Sequence, residues 1–126
     1  MKKLLLLLGL GVVMASFTFQ SDVSEIVNAL KSANAESVSG YFDSYIDLTL
    51  PGKEEVKNIG KNQAGIALRT FFNDAGIQGF ELTSQREAGT TMYMAGKLNG
   101  KNRGYNITLL LRNKDGHHQI ISVRIN

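Results

Sequence analysis

FELTSQREAGTTMYMAGKLNGKNRGYNITLLLRNKDGHHQIISVRI, residues 80–125, is the stretch on which the fold of this chain turns. Met92 and Met94, then Tyr105, Ile107, Leu109 and Leu111, then Ile121, Val123 and Ile125 recur at every second position. That spacing places side chains on one face of a strand. Ala88-Gly89, Asn99-Gly100 and Asp115-Gly116 interrupt the run, and Asn-Gly or Asp-Gly between alternating segments signals a tight hairpin. The stretch reads as four antiparallel strands whose apolar face needs a cover.

The upstream segments are the cover. Asp22 followed by Glu25 has the spacing of a helix cap and its capping partner, and Val23, Ile26, Val27, Leu30 and Ala33 share one side of the helix that follows. Asn34 caps a second, short helical turn carrying Val38, Tyr41 and Phe42 and ending near Gly40. In residues 45–50, Ile46, Leu48 and Leu50 alternate with Tyr45, Asp47 and Thr49, a strand that Pro51-Gly52 ends. Residues 54–59 form a thinner return strand. Ala64, Leu68, Phe71, Phe72 and Ala75 mark one face of a further helix, which Gly76 terminates. Gly65 and Gly96 sit inside regular elements, where close packing of helix on sheet or a bulge would call for them. The predicted class is α+β, with N-terminal helices packed on a curved, mainly antiparallel sheet.

Composition bounds the rest. The chain has 126 residues, 43% hydrophobic and 20% charged, values of an ordinary globular domain. Residues 1–20 open with Lys2-Lys3, continue through an apolar run too short for a comfortable bilayer span, and end in small or weakly polar residues. These are the parts of a secretory signal peptide, so residues 21–126 are expected as a single domain, exported to the periplasm, the cell envelope or the medium and free of the membrane once the leader is removed. The net charge of +3 includes Lys2 and Lys3, and without them the near-balance of charge argues against nucleic acid as a partner. Cysteine is absent, which excludes a disulfide framework, a thiolate metal site and a cysteine nucleophile.

Tyr41-Phe42-Asp43, the run Ile46-Asp47-Leu48-Thr49-Leu50-Pro51-Gly52, Gln63-Ala64 and Phe71-Phe72 resemble the corresponding words of a family of small exported Bacteroidetes proteins, the domain of unknown function 4783. The order of elements is similar to the cone-shaped α+β fold of nuclear transport factor 2-like (cystatin-like) proteins. The resemblance implies a bent sheet wrapped around a long helix with a pocket between them, and sheet-to-sheet dimers are common in that fold. Gly60-Lys61-Asn62 and Gln85-Arg86-Glu87 depart from the family's pattern, which tends to carry a Tyr-Ser pair and a His-Gly step there.

No cluster of residues has the types and spacing of a known active site. No glycine-rich phosphate loop opens a helix, and no nucleophile elbow occurs. His117 and His118 are adjacent on a strand, so they point to opposite faces and do not chelate one metal; no metal site and no cofactor are expected. Met92, Met94, Tyr93 and Tyr105 are the group best suited to a ligand pocket, being large, adaptable and partly polar, and they are also ordinary core residues. The leading expectation is a non-catalytic domain that binds a small apolar ligand or a protein partner, with a homodimer through the outer sheet face, where Leu110 and Ile120 accompany Thr108, Ser122 and Arg124. The alternative is a small isomerase- or dehydratase-like enzyme with Asp47 as general base and Tyr45 beside it.

Overall fold

Helical periodicity in the first half and strand alternation in the second produce the expected order of elements in the computed structural model, which describes residues 21–126. The leader assigned to residues 1–20 lies outside the described residues. The helices are α1 (Ser21–Lys31), α2 (Ala35–Ser39) and α3 (Lys61–Ala75), and the strands are β1 (Phe42–Thr49), β2 (Val56–Gly60), β3 (Gly79–Ala88), β4 (Thr91–Asn99), β5 (Gly104–Lys114) and β6 (His117–Ile125). They form one six-stranded sheet in the order β2-β1-β6-β5-β4-β3, antiparallel except where β1 runs parallel to β6. The sheet is curved and unclosed, and the helices lie on its concave side. Among the described residues no helix is long and apolar enough to cross a membrane.

Local chemistry explains the boundaries. Asn34 accepts a hydrogen bond from the Ser37 N–H at 3.1 Å and caps α2. Gly76 takes the left-handed conformation, φ 62°, that ends α3. Asp115 and Gly116, both at positive φ, form the two-residue turn between β5 and β6. The turn at Asn99-Gly100 is longer than the tight hairpin expected, because Lys101 N–H donates to the Ala75 carbonyl at 3.0 Å and docks the loop on the end of α3. Phe42 belongs to β1 rather than to the preceding helical turn, and its side chain is buried.

The core lies between α1, α3 and the concave face. Ile26, Leu30, Leu68 and Phe72 from the helices meet Ile46, Met94, Leu98, Ile107, Leu109, Leu111, Val123 and Ile125 from the strands. Gly96 is indispensable here: a side chain at that position would run into the Glu81 carbonyl and the Phe80 ring. Gly65 has the Ser39 side chain against it, which lets α3 cross α2 closely.

Candidate functional site at the open end of the sheet

Two breaks in strand register decide which side chains face inward. In β3, Leu82 pairs with Gly96 but Ser84 pairs with Ala95, leaving Thr83 without a partner position. Beyond this bulge Gln85 lies opposite Met94 and Glu87 opposite Met92. Directly opposed residues share a face, so Gln85 and Glu87 turn to the concave side, where simple alternation from Leu82 would have sent Ser84. The Thr83 hydroxyl secures the bulge by donating to the Ala95 carbonyl at 3.1 Å.

β6 does the same. Ser122 pairs with Leu110 and Ile120 with Leu111, so Ile121 is the extra residue. The phase shift buries Ile120 completely, whereas alternation placed Ile121 inside and Ile120 on the outer face. It also brings His118 inward, while His117 stays exposed at the start of β6.

These residues, with one side of α1, line an open-sided cavity of about 540 Å³. Its apolar surface comes from Val23, Val27, Leu82 and Met92, and its polar groups from Ser24, Asn28, Gln85, Glu87 and His118. One of the polar groups is unsatisfied. Gln85 is exposed, with its Nε2 3.6 Å from the Met92 thioether and otherwise open to solvent. His118 Nδ1 is buried and has no hydrogen-bond partner, a state that buried polar atoms seldom tolerate without a ligand or water.

The α1 wall is tied to the sheet at two points. Asp22 Oδ2 accepts from the His118 backbone N–H at 3.1 Å and lies 3.4 Å from His117 Nδ1. The Tyr41 hydroxyl donates to Glu25, one turn further along α1. That bond first, then burial and the nearby negative charges of Glu25 and Asp22, pushes the Tyr41 phenol up to about 12. Asp22 and Glu25 thus clasp other elements instead of serving as a capping pair for their own helix.

The four residues grouped as a ligand pocket do not converge. Met92 borders the cavity, Met94 is fully buried in the core, and Tyr93 is on the outer face, 53% exposed. Tyr105 lies at the other end of the concave face, with Phe71 edge-on at 5.1 Å and the Arg103 guanidinium 4.2 Å above its ring. Asp47 is not part of the cavity wall. Its Oδ1 accepts from the Asn58 N–H at 3.0 Å, holding Asn58 at φ 55° where β2 bulges against β1, and Tyr45 beside it is 64% exposed. Among the described residues no three His, Asp or Glu side chains gather closely enough to hold a metal. Gln85, Glu87 and His118 escape a reading by alternation because a single unpaired residue reverses the phase in each strand.

Comparison with known proteins agrees with this geometry. A family model described as Domain of unknown function (DUF4783) matches residues 23–126. A DUF4783 family protein from Bacteroides uniformis is similar in structure, with a TM-score of 0.75 at 19% identity over 82% of this chain and 94% of that one. Another from Bacteroides ovatus has a TM-score of 0.72 at 22% identity, over 80% and 90%. An NTF2-like protein of unknown function from Cytophaga hutchinsonii shares the fold with a TM-score of 0.58 at 13% identity, over 86% and 88%. No curated protein matches the chain.

Proposed function

Since the chain belongs to the DUF4783 family and has an NTF2-like fold, we propose that it is a non-catalytic domain, exported to the cell envelope, that binds a small ligand in the cavity between α1 and the bulged ends of β3 and β6. The observation that carries this reading is an unsatisfied polar atom in a residue of the cavity wall: His118 Nδ1, buried without a partner. That nitrogen gains a hydrogen bond if a ligand supplies a donor or an acceptor to it. The volume of about 540 Å³ falls within the usual range for small-molecule sites. Four of the nine lining residues are aliphatic or thioether and five are polar, so the ligand is amphipathic rather than purely apolar.

Backbone and side-chain NMR titration with a fragment library tests the assignment. Shifts at Leu82, Gln85, Met92 and His118 are expected, with Asp47 and Tyr93 unmoved. Shifts confined to the outer sheet face would sink the reading. Export is checked separately by sequencing the N-terminus of protein recovered from the periplasm or medium of an expressing bacterium; a retained residue 1 in a cytoplasmic fraction counts against it.

The outer face supports a second use, as a protein interface. Tyr93, Leu110 and Ser122 stand side by side across three strands and border a groove of about 300 Å³ with Glu55, Thr108 and Arg124. Ile120 contributes nothing to it, being buried on the opposite face. A homodimer through this face predicts a concentration-dependent mass in sedimentation that Tyr93→Asp abolishes; a single monomeric mass at high concentration overturns it.

A further inference from the structure

The charge of the cavity wall is one-sided. Glu87 is its only formally charged residue, no lysine or arginine lines it, and Asp22 stands behind His118 at its α1 side. Glu87 has no ion-pair partner among the described residues, the one ion pair there being His117 with Asp22. The cations nearest in sequence do not answer it. Arg86 pairs with Tyr93 on the outer face, turned away by the same bulge that brings Glu87 in. The remaining polar groups, Gln85, Asn28, Ser24 and His118, all offer acceptor atoms.

A second cavity has the opposite character. It lies between α2 and the start of α3, holds about 320 Å³, and is lined by Lys61 and Arg69 against a single Glu36. The walls of the two cavities therefore differ in the sign of their charge.

Resting on the ligand-binding reading above, we infer that the cavity between α1 and β3 selects an amphipathic cation: a primary or quaternary ammonium group carrying a short aliphatic chain. The chain lies against Val23, Val27, Leu82 and Met92, and the ammonium group sits toward Glu87 with its N–H or polarised C–H bonds directed at Gln85 and Asn28. An anionic amphipath of the same length keeps the apolar contact and meets Glu87 as a like charge. Attraction in one case and repulsion in the other act in the same direction on the ratio of affinities. At a solvated carboxylate each is modest, so the combined preference is about tenfold.

The probes are octylammonium, octanoate and 1-octanol, titrated by NMR into the full domain, residues 21–126, at physiological ionic strength. All three are expected to shift Leu82 and Met92, with octylammonium about tenfold tighter than octanoate and octanol between them. Glu87→Gln, on an exposed strand end, is expected to lower octylammonium to the level of octanol and to leave octanol unchanged. Octanol binding without preference for the ammonium, or a preference that survives Glu87→Gln, overturns this inference alone. Failure of all three probes to move cavity residues overturns the cavity reading with it.

Discussion

The two ends of the same concave face behave differently. Toward α3 the sheet is filled: Leu98, Ile107 and Ile125 are fully buried or nearly so, Phe80 stands beside Leu98 on the neighbouring strand, Phe72 of α3 joins the same buried cluster, and Tyr105 closes the end against Phe71. Toward the N-terminus of α1 the same strands open around a cavity with a carboxylate, two amides and an imidazole in its wall. The difference comes from two single-residue insertions in register, at Thr83 and Ile121, and hardly at all from composition. Regular alternation builds a core, and a bulge applied to that alternation builds a site.

The sharpest way to break the filled end is Gly96→Ala. The added methyl would meet the Glu81 carbonyl and the Phe80 ring, and neither is the far end of a flexible side chain. A loss of about 3 kcal/mol or more is expected in urea unfolding. A loss below about 1 kcal/mol would mean that β3 can slide at its bulge and that the register difference between the two ends is soft.

Truncation compares the ends directly. Leu109, fully buried between neighbouring strands, is expected to cost about 2–5 kcal/mol on Leu109→Ala. Leu82, half-buried and already facing the cavity, is expected to cost about 1 kcal/mol on Leu82→Ala. Equal losses in thermal melts would show that the cavity end is packed as tightly as the closed end.

Most of the fold is legible in the sequence, for physical reasons. Helical stripes such as Ile26, Leu30 and Leu68, Phe72 report burial through spacing, and Asp115-Gly116 and Gly76 report backbone conformations that few residues tolerate. The cavity is not legible. A bulge at Thr83 leaves no trace in composition, since threonine suits a regular strand equally well, and the run Ile120-Ile121 offers two equivalent residues for one inward position. Adjacency puts His117 and His118 on opposite faces without saying which turns inward, and the bulge at Ile121 makes it His118, whose Nδ1 is buried. Asp47 drew attention as an acid on a strand flanked by polar residues; its setting at the β1–β2 bulge depends on the conformation of Asn58, eleven positions away in sequence.

That setting gives Asp47 a measurable role outside the site. Asp47→Ala removes the acceptor for the Asn58 N–H at a bulge, with an expected loss of about 1 kcal/mol and no change in ligand affinity. Asp47→Asn, which keeps a side-chain carbonyl, is expected to recover most of the stability. A ligand-affinity loss on either change would return Asp47 to the site and erase the contrast between the cavity and the sheet edge.

The smallest effect is a pH dependence at the α1 tether. The Tyr41 phenol titrates near 10 in the unfolded chain and at about 12 in the folded one, chiefly because its hydroxyl donates to Glu25. A folded value above the unfolded value means that the folded state holds its proton more tightly. The contribution is therefore complete below pH 10 and is lost as pH rises from about 10 to about 12. Tyr41→Phe removes the hydroxyl and should flatten that part of the stability profile, and the stability it gives up below pH 10 is small because the bond is largely solvated. Since the tether holds α1, which forms one wall of the cavity, hydrogen exchange at alkaline pH should rise first in α1. A uniform rise across Leu98, Ile107 and Ile125 instead would place the tether in the global core, and the open end could no longer be treated as separable from the closed one.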